Sequence, residues 1–234
     1  MTLDWHIIYT LLIYFVIGGI GVAFIASRKT GEERRESWVK YVVYLGIITT
    51  LQTVFFHRQF SFFALSLIAT VGLGEMFFAA RRVGMLFLIN ALFTYILLSG
   101  AFVLLAADKS PTLVRTYFLV VVFDGFSQII GQIAGGQKLI PKISPNKTIS
   151  GLLGGTITAL VTSAICFGTE SVFPWAMSVI ISALVGDLLA SWVKRRAGIK
   201  DYSTLIPGHG GFLDRFDSFI LAGAIQTIWI IAQS

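Results

Sequence analysis

The sequence predicts an all-α integral membrane protein, a bundle of about eight transmembrane helices, and three observations lead there. Hydrophobic residues make up 56% of the 234-residue chain and charged residues only 13%, with a mean hydropathy of +0.81; soluble domains carry roughly half apolar and a quarter charged residues. The apolar residues gather into long runs, and about 20 residues suffice to cross about 30 Å of hydrocarbon. Lysine and arginine fall in the short stretches between the runs.

The first run, Trp5–Ala26, follows no basic segment and carries no small-residue cleavage site, so it reads as a retained helix rather than a removable signal. Further runs follow in chain order at Trp38–Phe56, Phe60–Ala80, Gly84–Ala106, Leu113–Ala134, Ile149–Phe167, Val172–Val193 and Phe216–Ala232. The stretches between them are too short for a separate soluble domain. Residues 1–234 therefore read as one polytopic domain, with N-terminal helices over 1–110 and the helices and loops that carry the polar chemistry over 111–234. The single cysteine, Cys166, excludes an internal disulfide.

Orientation follows from the cations. Fifteen of them, including Arg28, Arg34, Arg81, Lys138, Lys147, Lys194 and Arg215, fall on one side of the alternating spans, and three, Arg58, Lys109 and Arg115, on the other. The positive-inside tendency places the basic loops in the cytoplasm and both termini outside. An odd number of spans would break that alternation. The net charge of +6 thus serves topology, and nucleic acid is not an expected partner.

Three acids interrupt the apolar runs, Glu75, Asp124 and Asp187. A charge at a bilayer centre costs on the order of 3 kcal/mol, so such residues face a polar interior or a partner. Asp124 sits in a Gly-rich polar stretch, "FDGFSQIIGQIAGGQK", of the kind tolerated where a helix lines a cavity or packs closely. In "VGDLLASWVKRR", Asp187, Ser191, Lys194 and Arg195 recur at helical spacing along one face. A carboxylate there can hold a divalent cation and the cations can hold phosphate; equally, Lys194, Arg195 and Arg196 can anchor an ordinary stop-transfer helix. In "IPGHGGFLDRFDS", glycines let backbone amides approach a ligand, and Asp214 and Asp217 follow one turn apart beside Arg215 and His209. Metal and phosphate binding is one reading of this cluster; capping of the last helix by one of the acids is the other.

The run from Ser191 to Asp217, S-x-V-K-R-x4-K-D-x-S-x2-I-P-x-H-G-G-F-x-D-R-F-D, resembles the signature of the phosphatidate cytidylyltransferase (CDP-diacylglycerol synthase) family. A second block, "KLIPKISPNKTISGLLGG" over Lys138–Gly155, is similar to the family's S-P-x-K-T segment and its trailing glycines. The chain departs from the pattern at Ser150, where an acid is expected, and around Asp124, where Gly125, Phe126, Ser127 and Gln128 stand in place of a small residue and a tyrosine.

The resemblance implies a nucleotidyltransferase of phospholipid biosynthesis that condenses CTP with a lipid phosphate, phosphatidic acid above all, to give CDP-diacylglycerol and pyrophosphate. It implies a polar catalytic cleft open to the cytoplasmic side of a bacterial plasma membrane, and Mg²⁺ held by Asp187, Asp214 and Asp217, with room for a monovalent cation. Lys194 and Arg215 complete the catalytic set. Ser144, Lys147, Ser191, Arg195, His209 and Asp124 join Lys194 and Arg215 in substrate binding. CTP, the lipid and the bilayer are the partners, and a homodimer is the assembly. Two rivals remain: a CTP-dependent enzyme with another lipid acceptor, including a polyprenol kinase that would release CDP, and an ion-coupled transporter using Glu75, Asp124 and Asp187 as a relay. No internal repeat supports the transporter.

Overall fold

The computed structural model describes residues 5–108, 111–168, 172–206 and 210–233. Its helices are α1 (Trp5–Ser27), α2 (Gly31–Phe56), α3 (Arg58–Ala80), α4 (Met85–Leu104), α5 (Thr112–Ala134), α6 (Ile149–Phe167), α7 (Val172–Arg196) and α8 (Leu213–Gln233). A 3-10 turn at Leu105–Ala107 extends α4, and an antiparallel hairpin, β1 (Lys138–Ile140) with β2 (Ser144–Thr148), precedes α6. Among the described residues eight helices are long and apolar enough to cross a membrane. The expected spans are all present, several with the same ends to within a residue.

Two differences have simple causes. α2 begins at Gly31 rather than Trp38, because Glu32–Glu36 and their arginines are good helix formers that extend the helix beyond the apolar window. The hairpin has no counterpart in the expectation: its strands, three and five residues long, are too short for a hydropathy window to register.

The chain divides into two compact units, one of residues 1–56 and 121–177 and the other of 57–120 and 178–234, with boundaries inside α5 and α7. In the first unit, α5 and α6 meet along glycines. A Cβ at Gly154 would lie 2.5 Å from the Ile130 side chain, and one at Gly155 would lie 2.8 Å from the Phe123 carbonyl. Glycines four residues apart, Gly151 and Gly155, let the two backbones approach, which is how helices associate where lipid removes the hydrophobic drive. Thr148 caps α6 by accepting from the Gly151 amide at 3.1 Å, and Ser150 donates to the Gly135 carbonyl, tying the end of α5 to the start of α6. A hydroxyl thus does local structural work at the position where an acid was expected.

The second unit is built on α3, α4 and α8. Phe102 and Tyr117 pack edge-on against Phe219, at centroid distances of 4.9 and 5.0 Å. Thr227 donates to the Ala101 carbonyl at 2.8 Å, and the Gln226 amide donates to Ser178 at 2.8 Å. Outward-facing residues such as Phe63 and Leu86 are more than 70% exposed, as lipid-facing positions are.

Candidate active site

Every described residue of the 191–217 motif belongs to the second unit. α7 carries Asp187, Ser191, Lys194 and Arg195 toward its C-terminal end, and α8 opens with Asp214, Arg215 and Asp217. The two helices touch where the chemistry lies: a Cβ on Gly186 would come 2.6 Å from the Asp217 carbonyl oxygen and 3.3 Å from the Ser218 Cα. Only glycine permits that approach. It sets Asp187, the next residue of α7, beside the turn of α8 that bears Asp217.

One level nearer the helix ends, Lys194 Nζ donates to Asp214 Oδ1 at 2.5 Å, and both side chains are buried, 9% and 3% exposed. The other carboxylate oxygen of Asp214 accepts two loop amides, Tyr202 at 2.9 Å and Gly211 at 2.8 Å. A buried charge needs such partners, since desolvation costs several kcal/mol per ion. Asp214 therefore holds α7, the 197–206 segment and the start of α8 in one register. Lys194 also lies 5.3 Å from the Tyr202 ring centroid, a cation–π distance.

Glu75 completes this frame from α3. It is 8% exposed. Its Oε1 accepts from the Phe212 amide at 2.9 Å and from Ser203 Oγ at 2.5 Å, and its Oε2 accepts from the Leu213 amide at 2.5 Å. The first amides of a helix have no partner within the helix, and a carboxylate there also complements the helix dipole. The acid that interrupts the third span is thus the cap of the eighth. In the sequence Glu75 stands as an intramembrane acid open to a relay role or to pairing within the bundle, and its part as a helix cap is hidden because its donors lie up to 138 residues away.

The described residues of the loop are tightly specified. Gly210 has φ +82°, and its amide oxygen accepts from the Ile206 amide at 2.9 Å. A side chain there would meet Asp201 at 3.0 Å in a backbone conformation that favours glycine. Tyr202 donates its hydroxyl to the Ala190 carbonyl at 3.2 Å. Burial first, and then the charges of Asp217 and Asp214, hold the Tyr202 phenol far above its ordinary value near 10. A raised folded-state value means a contribution that is complete below the unfolded value of about 10 and is lost as pH rises beyond it. Tyr202→Phe is accordingly expected to flatten the fall of melting temperature with pH above about 10, measured by thermal denaturation in detergent.

Ser191 is buried and Arg195 and Arg215 are exposed, Arg195 donating to the Ile199 carbonyl at 3.0 Å. Ser144 and Lys147 lie on β2 and Asp124 on α5, all in the first unit. His209, with Pro207 and Gly208, lies outside the described residues. The three acids expected to share a metal are not gathered as a trio: among the described residues no group of three or more His, Cys, Asp or Glu is arranged to hold an ion. Asp187 and Asp217, half-buried carboxylates on adjoining helices, still supply the hard oxygen donors that Mg²⁺ takes, one or two carboxylates being enough where substrate phosphates fill the rest. The donor set fits.

A sequence model of the cytidylyltransferase family matches residues 3–232. Among similar proteins, the phosphatidate cytidylyltransferase of Staphylococcus haemolyticus is 35% identical over 82% of this chain and 69% of its own length. That of Staphylococcus saprophyticus is 31% identical over 98% of this chain and 84% of its own. That of Aquifex aeolicus is 33% identical over 66% and 62%.

Proposed function

The chain belongs to the cytidylyltransferase family, and from that premise we propose how its second unit serves the reaction. The protein is an integral membrane enzyme of phospholipid biosynthesis that joins CTP to phosphatidate, giving CDP-diacylglycerol and pyrophosphate. The observation that carries this is the family match along residues 3–232.

In the reaction a phosphate oxygen of phosphatidate attacks the α-phosphorus of CTP, the bond to the β-phosphate breaks, and pyrophosphate departs. The attacking oxygen is already anionic at neutral pH, so no separate general base is needed. Positioning and charge neutralisation dominate such transfers. Arg215 and Arg195, exposed cations at the ends of α8 and α7, are suited to bind phosphate oxygens; by its resemblance to the family's S-P-x-K-T segment, Lys147 is read as a phosphate ligand and Ser144 as a hydrogen-bond donor. Asp187 and Asp217 would hold Mg²⁺, which when bound neutralises phosphate charge and polarises the α-phosphate. Asp214 and Lys194 act through the frame they build, fixing the first turns of α8, which carry Asp217 and Arg215. A cytoplasmic opening follows from the cation distribution, fifteen against three. The same resemblance implies a homodimer.

The purified protein is expected to convert CTP and phosphatidate to CDP-diacylglycerol with stoichiometric pyrophosphate in the presence of Mg²⁺. Asp187→Asn and Asp217→Asn should each lower kcat at least 100-fold with little change in melting temperature. Release of CDP in place of pyrophosphate would make the enzyme a kinase and overturn the reading, and near-normal rates in both variants would remove the metal assignment.

A further inference from the structure

We propose that a cavity of about 430 Å³ within the second unit seats an acyl chain of the lipid substrate and reads its length. Its walls are α4 from Leu86 to Leu98, α7 from Gly186 to Val193, and α8 from Leu213 to Leu221. The proposal rests on the phosphatidate reading above and deepens it.

Position comes first. The cavity includes Asp217 and Gly186, the point where α7 and α8 meet, and Asp217 is the one acid among its lining residues. Every other wall residue is apolar or uncharged. A volume of a few hundred Å³ with apolar walls and one convergent polar group is the usual form of a small-molecule site. A lipid whose phosphate lies near Asp217 would find the apolar walls directly beside its tail.

Access comes second. Leu86 is 76% exposed and Trp192 39% exposed, both on helices that cross the membrane, so the cavity opens at a surface that faces lipid. The Phe87 and Trp192 rings, 5.6 Å apart at 47°, bridge α4 and α7 near the α7 C-terminal end and bound the opening there. From that bridge, Asn90 and Thr94 follow Leu86 at one-turn spacing along α4, giving an exposed row one side chain deep.

The energetics fix what such a cavity can do. Hydrocarbon tails gain nothing by leaving a bilayer for apolar protein, since lipid is as apolar as leucine. The cavity therefore cannot raise affinity by transfer alone; it acts by shape, accepting a chain that fits and holding the phosphate near Asp217 when it does.

The test compares phosphatidates bearing two eighteen-carbon chains with those bearing two six-carbon chains, in the same mixed micelles. Thr94→Trp and Asn90→Trp place a large ring in the cavity from exposed positions, where folding tolerates the change. Each is expected to lower the ratio of kcat/KM for the long-chain over the short-chain substrate at least tenfold. A phosphatidate with a diazirine midway along one chain should label residues 86–98 and 186–193 of the wild-type enzyme after photolysis. An unchanged ratio in both variants, or labelling confined to other segments, overturns the proposal. Should the wild-type enzyme make no CDP-lipid from any phosphatidate, the reading of its activity fails instead, and the two failures are distinct.

Discussion

Glu75→Ala is expected to lower stability by about 2–4 kcal/mol and activity at least tenfold. The carboxylate accepts from two amides at the start of α8 and from Ser203. An unsatisfied buried donor costs about 1–3 kcal/mol, and loss of a helix cap about 0.5–2 kcal/mol. The donors are partly in reach of the loop surface, so the losses do not sum in full. Activity suffers because α8 carries Asp214, Arg215 and Asp217 in its first two turns, and a shift in its start moves all three. Glu75→Gln keeps one acceptor oxygen and should fall between alanine and wild type. Thermal melts together with CDP-diacylglycerol formation check this, and an alanine variant that melts like wild type would mean the cap contributes nothing.

Breaking the Lys194–Asp214 pair should cost more. The two side chains are 9% and 3% exposed, and removing one partner of a buried pair destabilises by about 3–5 kcal/mol because the other charge stays buried. Lys194→Met leaves Asp214 with only its two amides, and Asp214→Asn leaves a buried ammonium facing a neutral amide. The double variant Lys194→Met with Asp214→Asn is expected to recover more than half of the stability lost by the worse single variant, while activity stays low. A double-mutant cycle on melting temperature measures the coupling. Full recovery of activity in the double variant would show that neither residue positions the site.

Much of the fold is legible in the sequence because the bilayer demands it. Each span must satisfy its own backbone in hydrocarbon and be about 20 residues long, so α6, Ile149–Phe167, coincides with its apolar run at both ends. The motif residues of α7 and α8 are legible for a different reason: their spacing is local. What the sequence does not carry is pairing at a distance. Nothing in the periodicity of α3 says that Glu75 will meet amides near residue 212, and nothing around Lys194 says that it will be committed to Asp214. Read alone, Asp214 is open to both metal binding and helix-end roles; in the structure its oxygens are engaged by Lys194 and two loop amides. Gly186 likewise reads as one glycine among 23 until α8 is seen against it.

Neither compact unit corresponds to a continuous piece of chain: the first joins residues 1–56 to 121–177, and the second joins 57–120 to 178–234. During synthesis the second unit stays incomplete until the final helix emerges, and Glu75 enters the membrane long before its hydrogen-bond donors exist. A cut near residue 110 would divide the sequence evenly and yet leave each fragment with parts of both units. Each fragment expressed alone from that boundary should fail to give a species that stays folded in detergent, and co-expression of the two is the route by which a split enzyme could assemble.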